Sequence, residues 1–420
     1  MDLRELRRLR PALGRYVHRF DDCIKTRNSR RHFSTYVQGQ LGPLPRKSIE
    51  PIALDAHVPP RTLQEFLSIH CWDEDRVGCR LREEVMKDHP EEDAIAVIDE
   101  TSYVKWGKKT PGVQRQHCGA VGKVENCVVT VHLGRVAGAS HALLDGDLYL
   151  PESWAEDLDR RREANIPDDV VYRPKWRIAL DLLHRSLEEG VGFRWLTADE
   201  AYGRVWDFRD EVEKAGLLYV VEIPSNLTGW TKRARVLRAG SRTSRGRTLQ
   251  HPRLLPGEKK ARPVSDLWKR GGPSWQLFRV KDSEKGPVVW RVRETIFYPT
   301  RDRVPAEPVR LLIAEEALTG EAKYFLSCAP AEIPLKEILT VAFSRWHVEK
   351  LFKEGKGEVG LDHFEVRSYR SLMRHLVLTN VSLYFLAEQT DRLRGEKPGV
   401  DHLPGAQGGG GAVGPGDAAA

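Results

Sequence analysis

Residues 94–104 read AIAVIDETSYV, five apolar side chains running without a break into a pair of acids. A short β-branched run of this kind has no polar face to offer water. It fits a strand buried on both sides, and such strands occur in sheets covered by helices above and below. FRWLTADEAYG at 193–203 repeats the form, again ending in acid, and LYVVEIP at 218–224 supplies another buried strand. CGAVGKVENCVVTVHLGRV (118–136) and SHALLDGDLYLP (140–151) read as two more strand regions. Helical spacing appears in PKWRIALDLLHRSLEEG, opened by Pro174 and stopped by Gly190, and in RVWDFRDEVEKAG. Three strands, helix, strand, helix, strand is the order of an α/β fold, a mixed sheet with flanking helices.

A chain of 420 residues exceeds one small core, so several units are expected. Residues 1–90 form an N-terminal helical region, in which RKSIEPIALDAHVPPRTLQEFLSIHCW has the form of a helix-turn-helix. Ser48 is placed to cap its first helix, with Pro51 in the opening turn. Pro60 begins the second, with Leu63, Phe66 and Leu67 inward and Arg61 and Thr62 at the start of the recognition helix. Residues 91–224 hold the first part of the sheet, and residues 323–395 complete it. Residues 225–322 form a strand-rich insertion, and the low-complexity tail 396–420 is expected to be disordered.

Net charge is only +7, but it is unevenly spread: between Ser225 and Arg270 stand thirteen Lys or Arg against Glu258 and Asp266. Such a run, with Lys232, Arg233 and Arg235 near its start, is either a solvated loop or a track for phosphates. No stretch approaches the ~18–20 apolar residues of a membrane span, and no apolar signal core marks export, so a cytoplasmic protein is expected. Six cysteines without a C-x-x-C pair read as reduced thiols rather than a zinc site.

Asp99 and Asp199 each end an apolar strand run, where a rigid backbone can hold a metal ligand. Each has an acidic neighbour, Glu100 and Glu200; alternation sends neighbours to opposite faces, and a sheet apolar on both faces cannot say which member enters a site. In FSRWHVEKLFKEGK, at about 100° per residue, Arg345, Glu349 and Lys356 fall within about 40° of one another on one helix. They form a stripe beside Val341, Val348, Leu351 and Phe352. Each acid alone has an ordinary explanation, as a cap or a helix ion pair.

Taken together, VIDET, TADEAYG and RWHVEKLFKEGKGEVGLDHFEVRSYRS resemble the DDE transposases of bacterial insertion sequences, within the ribonuclease H-like superfamily. Arg345, Glu349 and Lys356 match R-x3-E-x6-K of the family's Y-x2-R-x3-E-x6-K signature, while Ala342 stands in place of its Tyr. The resemblance implies a ribonuclease H-like core with Asp99 on the first strand, Asp199 on the fourth and Glu349 on a later helix. These three acids would be catalytic and would hold two Mg²⁺ ions, for which Mn²⁺ can substitute. Arg345 and Lys356 would hold phosphates, with Arg61, Lys232, Arg233 and Arg235 as further DNA contacts. Members with a long insertion before the Glu lay it over transposon-end DNA and stack an aromatic on a displaced base; Trp230, Trp268, Trp275 and Trp290 are the candidates. The implied activity is cut-and-paste transposition on double-stranded DNA, by a homodimer in a synaptic complex in the nucleoid. A silent DNA-binding descendant and a metal-dependent endonuclease without strand transfer are the alternatives.

Overall fold

The computed structural model describes residues 3–242, 248–267, 272–283 and 286–395; Trp268 and the tail 396–420 lie outside them. Five helices come first: α1 (Leu3–His18), α2 (Arg27–Leu41), α3 (Ile49–Asp55), α4 (Pro60–Ser68) and α5 (Glu74–Asp88). Thr26 caps α2 by accepting from the Ser29 N–H at 3.2 Å, and Asp73 does the same for α5. Ser48 occupies the cap position of α3 without making the side-chain bond expected of it. Leu63, Phe66 and Leu67 are fully buried, as the spacing in α4 requires.

The sheet begins with β1 (Ile95–Val104), β2 (Gln114–Cys118), β3 (Lys123–Ala137) and β4 (Ser140–Leu148). After α6 (Glu152–Ala155), α7 (Leu158–Glu163) and α8 (Lys175–Glu188) come β5 (Trp195–Ala198), α9 (Glu200–Gly203), α10 (Trp206–Lys214) and β6 (Leu218–Ile223). Side by side these strands run β4-β3-β1-β5-β6, with β3 antiparallel to β1 and β5 and β6 parallel to it. Ala96 and Ile98 of β1 share an apolar cluster with Ile178 and Leu182 of α8. Val97, one residue out of phase, joins Val348, Leu351 and Phe352 on the opposite face. The strand is thus buried on both sides, as its unbroken apolar run demanded.

The strand-rich insertion is not a separate sheet. It contributes β7 (Thr228–Trp230), β8 (Val236–Leu237), β9 (Arg253–Leu254), β10 (Arg262–Pro263), β11 (Gln276–Ser283), β12 (Gly286–Arg301), β13 (Val304–Pro305) and β14 (Val309–Glu316). β15 (Ala322–Ser327) then pairs antiparallel with β6, β14 with β15, and β12 with β14, so the central sheet extends outward through the insertion. β8 and β9 pair with each other apart from it. The unpaired edge of β6 explains the extension: Val220 and Val221 are fully buried, and their backbone groups need a partner strand.

Three helices close the described chain: α11 (Leu335–Ser344), α12 (Trp346–Glu358) and α13 (Tyr369–Gly395). α13 runs between the N-terminal helices and the sheet. The Tyr16 hydroxyl donates to the Val381 carbonyl at 2.8 Å, and Gln40 Nε2 donates to Thr379 Oγ1 at 2.9 Å. One apolar cluster accordingly contains Tyr16 and Phe33, Val381 and Phe385 of α13, and Ala96 and Leu133 of the sheet. Among the described residues no helix is long and apolar enough to cross a membrane, and all six cysteines are free thiols.

Candidate active site

β1 and β5 run parallel with Ile95 beside Trp195 and Val97 beside Thr197. Extended by two residues, that register sets Asp99 level with Asp199. There the strands part: β5 stops at Ala198, while β1 continues to Val104 along β3. Asp99 therefore lies mid-strand rather than at a strand end, because antiparallel pairing to β3 carries β1 five residues further. Asp199 does end its strand and also caps α9, its Oδ1 accepting the Ala201 N–H at 2.9 Å. The end of a parallel strand beside a diverging neighbour is the usual place for a site in an α/β sheet.

Packing assigns Asp99 and Glu100 to opposite faces of β1, although both line the same cleft. Asp99 shares the Val97 face, toward α12, where its Oδ2 accepts from Arg345 Nη1 at 2.8 Å. Glu100 shares the Ala96 and Ile98 face, pairs with Lys175 at the start of α8, and accepts from the Tyr202 hydroxyl at 3.0 Å.

Arg345, Glu349 and Lys356 do not share one unbroken helix. Arg345 sits at the junction of α11 and α12. Ser344 Oγ donates back to the Val341 carbonyl at 2.7 Å, the kind of local bond that competes with helical hydrogen bonding. Glu349 still lies one turn beyond Arg345 and accepts from its Nη2 at 2.8 Å. Lys356 Nζ donates to the Ser102 carbonyl at 3.1 Å and lies 5.3 Å from the Tyr103 ring centre. Ala342, at the Tyr position of the signature, is buried against the face of the sheet that carries Leu312 and Phe325.

Asp99, Asp199 and Glu349 line a single cleft of about 760 Å³ together with Glu100 and Glu200, with Lys356, Lys353 and Arg204 also on its wall. Lys353 and Arg204 are exposed and were not singled out from the sequence; the signal for Lys353 was its position one turn beyond Glu349. Burial raises Asp99 to a pKa of about 7, opposed by Arg345 and reinforced by Asp199. Burial also raises Asp199, with Glu100 adding to the effect. Burial disfavours the Arg345 cation, but Asp99 and Glu349 outweigh this and keep it firmly protonated.

The other expected DNA contacts lie away from the cleft. Arg61 is exposed on α4 and pairs with Glu65 at 2.7 Å. Lys232 is exposed; Arg233 pairs with Glu307 at 2.9 Å, and Arg235 with Glu258 at 2.6 Å. Surface pairs of this kind are weak and exchange readily for another anion.

The sequence pattern of the DDE superfamily endonucleases matches residues 19–287. This chain belongs to that superfamily. Its β4-β3-β1-β5-β6 sheet with helices on both faces is the ribonuclease H-like arrangement expected of a DDE protein. The matched residues include Asp99 and Asp199 and stop short of Glu349. Over 197 residues the chain is 31% identical to a probable transposase for insertion sequence element IS701 from Microchaete diplosiphon. That match takes in 45% of this chain and 47% of the relative, about half the length of each.

DDE proteins generally use divalent metal ions. The donor set here fits one by chemistry, since carboxylate oxygens are the ligands that hard cations take, and a cation would relieve the raised pKa of Asp99. The side chains as arranged do not yet form a cage: among the described residues no three His, Cys, Asp or Glu are grouped closely enough to hold one ion. The Arg345 guanidinium stands between two of the acids instead.

Proposed function

We propose that this DDE protein is the transposase of an insertion sequence, cutting DNA at the element's ends and joining the freed 3′-hydroxyls to a target. The observation that supports this most is the meeting of Asp99, Asp199 and Glu349, spread over 250 positions of sequence, on one cleft with basic side chains on its wall. The three acids would hold two Mg²⁺ ions, with Mn²⁺ able to substitute, which activate an attacking oxygen and stabilise a leaving one.

The chain's own residues do the holding and placing. Asp99 is fixed mid-strand and Asp199 at the start of α9, so neither carboxylate drifts as DNA enters. Arg345, once released from Asp99 and Glu349, presents two parallel N–H groups that match a phosphate. Lys356, Lys353 and Arg204 add point charges along the same wall. α3 and α4, with Arg61 exposed at the start of α4, are the proposed reader of the terminal inverted repeats. Lys232, Arg233 and Arg235 of the insertion would be further contacts to the DNA backbone. Two ends must be held at once, which calls for a homodimer in a synaptic complex, working on nucleoid DNA in the cytoplasm.

A strand-transfer assay tests the proposal, using precleaved ends from the DNA that flanks the coding region, a supercoiled plasmid target and Mg²⁺. Joined product is expected with the natural protein and none with Asp99→Asn, Asp199→Asn or Glu349→Gln, while binding to the ends persists. Nicking without joining would make the protein an endonuclease. Binding with neither would leave a silent DNA-binding protein.

A further inference from the structure

Among the described residues, the tryptophans of the insertion offer no free ring to a base. Trp230 and Trp290 are buried, and Trp275 lies under the Arg293 guanidinium, 3.9 Å from its ring centre. The bare indole is elsewhere: Trp106, in the loop that leaves β1, is 98% exposed.

That loop is braced on both sides of the ring. The Lys105 N–H donates to the Asn126 carbonyl at 2.9 Å. Asn126 Nδ2 returns bonds to the carbonyls of Lys105 and Gly107, the latter at 3.0 Å. Lys105 Nζ donates to the carbonyls of Asp362 and Phe364 and sits 3.5 Å from the centre of the Phe364 ring. A tryptophan carries about 150–250 Å² of surface that favours burial, yet here a fixed backbone holds it out into water.

Below it opens a cleft of about 640 Å³ whose rim carries Arg46, Lys108, Lys109 and Arg367. Of its two acids, Glu365 forms an exposed ion pair with Arg46 and Asp362 lies 3.8 Å from His363 Nε2, while Glu163 pairs with Lys109 from outside the cleft. One wall continues β1, which carries Asp99, and the other follows α12, which carries Glu349. Trp106 follows Asp99 by seven positions, five of them along β1, so the two are separated by at most about 23 Å at ~3.3 Å per residue.

We propose that Trp106 is a base-stacking residue, and that this second cleft takes an unpaired nucleobase of DNA against the indole with its phosphates on Lys108 and Lys109. The proposal rests on the DNA-processing reading above and adds a contact outside the acidic site. Base-on-aromatic stacking is indifferent to sequence, because every base has a π face.

The test is fluorescence anisotropy of the full chain, in EDTA, with labelled single-stranded oligo(dT) and with a strand of equal length whose central bases are abasic. Trp106→Ala should weaken oligo(dT) binding about ten-fold, Trp106→Phe should retain most of it, and neither should alter binding to the abasic strand. Lys108→Gln should weaken both strands alike. An unchanged oligo(dT) affinity in Trp106→Ala, or an equal loss on the abasic strand, overturns the stacking role while leaving the transposase reading standing. Failure of the natural protein to bind either strand or duplex DNA would sink both.

Discussion

Arg345 and Asp99, 246 positions apart in sequence, meet through a 2.8 Å hydrogen bond between Nη1 and Oδ2. The other terminal nitrogen of the same guanidinium holds Glu349 at 2.8 Å. One side chain therefore links a strand-borne acid to a helix-borne acid, with its positive charge on oxygens that a divalent ion would also seek.

Competition for those oxygens can be measured. Arg345→Gln should tighten Mn²⁺ binding to the DNA-free protein several-fold in titration calorimetry at pH 8, because charge-assisted bonds worth about 1.5–3 kcal/mol each no longer have to be broken. Cleavage should fall in the same variant, since the proposed phosphate clamp would be gone. Unchanged or weaker Mn²⁺ binding would show that the guanidinium does not occupy the ion's place.

The pKa of Asp99 sets a pH signature of stability. Burial lifts it from 3.8 to about 7, so between those values the folded chain binds a proton that the unfolded chain does not. The stabilisation is fully present below about pH 4 and is lost as pH rises through about 7. Without metal, Asp99→Asn should melt roughly 5 °C above the natural protein at pH 8.5, with the gap closing toward pH 5. Thermal scans in EDTA at the two pH values decide it; a gap that does not depend on pH would mean the carboxylate is not strained by burial.

Asp199 depends on a glycine with no room to spare. A Cβ on Gly203 would lie 2.0 Å from the Glu222 carbonyl oxygen on β6, so α9 must move, and Asp199 with it. Gly203→Ala should cost about 1–3 kcal/mol in denaturant unfolding and reduce cleavage further than that loss of stability explains. Gly14→Ala, where nothing lies within 4 Å, serves as the control and should be neutral or stabilising. Full cleavage by Gly203→Ala would uncouple the helix position from the carboxylate.

Arg374 of α13 is a structural clasp. It is buried and donates to the carbonyls of Phe66, Leu67, His70 and Trp72 and to Glu74 Oε2, across the connection between α4 and α5. Arg374→Met leaves those acceptors and the Glu74 charge without their partner, a loss of about 3–5 kcal/mol. Arg370→Met, at a mostly exposed neighbour 3.9 Å from the same glutamate, should change stability by no more than ~0.5 kcal/mol. Comparable denaturation midpoints for the two variants would refute the distinction.

How far the sequence revealed this arrangement depended on whether the deciding interactions were local. The apolar run before Asp99 announced a doubly buried strand, and Pro60 with Leu63, Phe66 and Leu67 announced α4. The same run could not say which face Asp99 and which Glu100 would take, because both faces of β1 are apolar; the packing of Val97 against α12 assigns the faces, and both acids still line the cleft. Nor could the spacing of β12 and β14 reveal that they carry the central sheet outward from β15, which itself joins the sheet through β6, about one hundred residues earlier. The spacing from Arg345 to Glu349 was legible, but the reach to Asp99 was not. Attention to the tryptophans of the insertion passed over Trp106, whose exposure is a property of the folded surface rather than of its neighbours in sequence.

The apolar cluster shared by α2, α13 and β1 has a consequence for register on a duplex. With no swivel between the helices proposed to read a repeat and the acids proposed to cut beside it, the protein would act as a ruler, placing the break at a constant count of base pairs from the recognised sequence. Spacer DNA added between the two would then carry the scissile bond out of reach instead of being taken up by a bending linker.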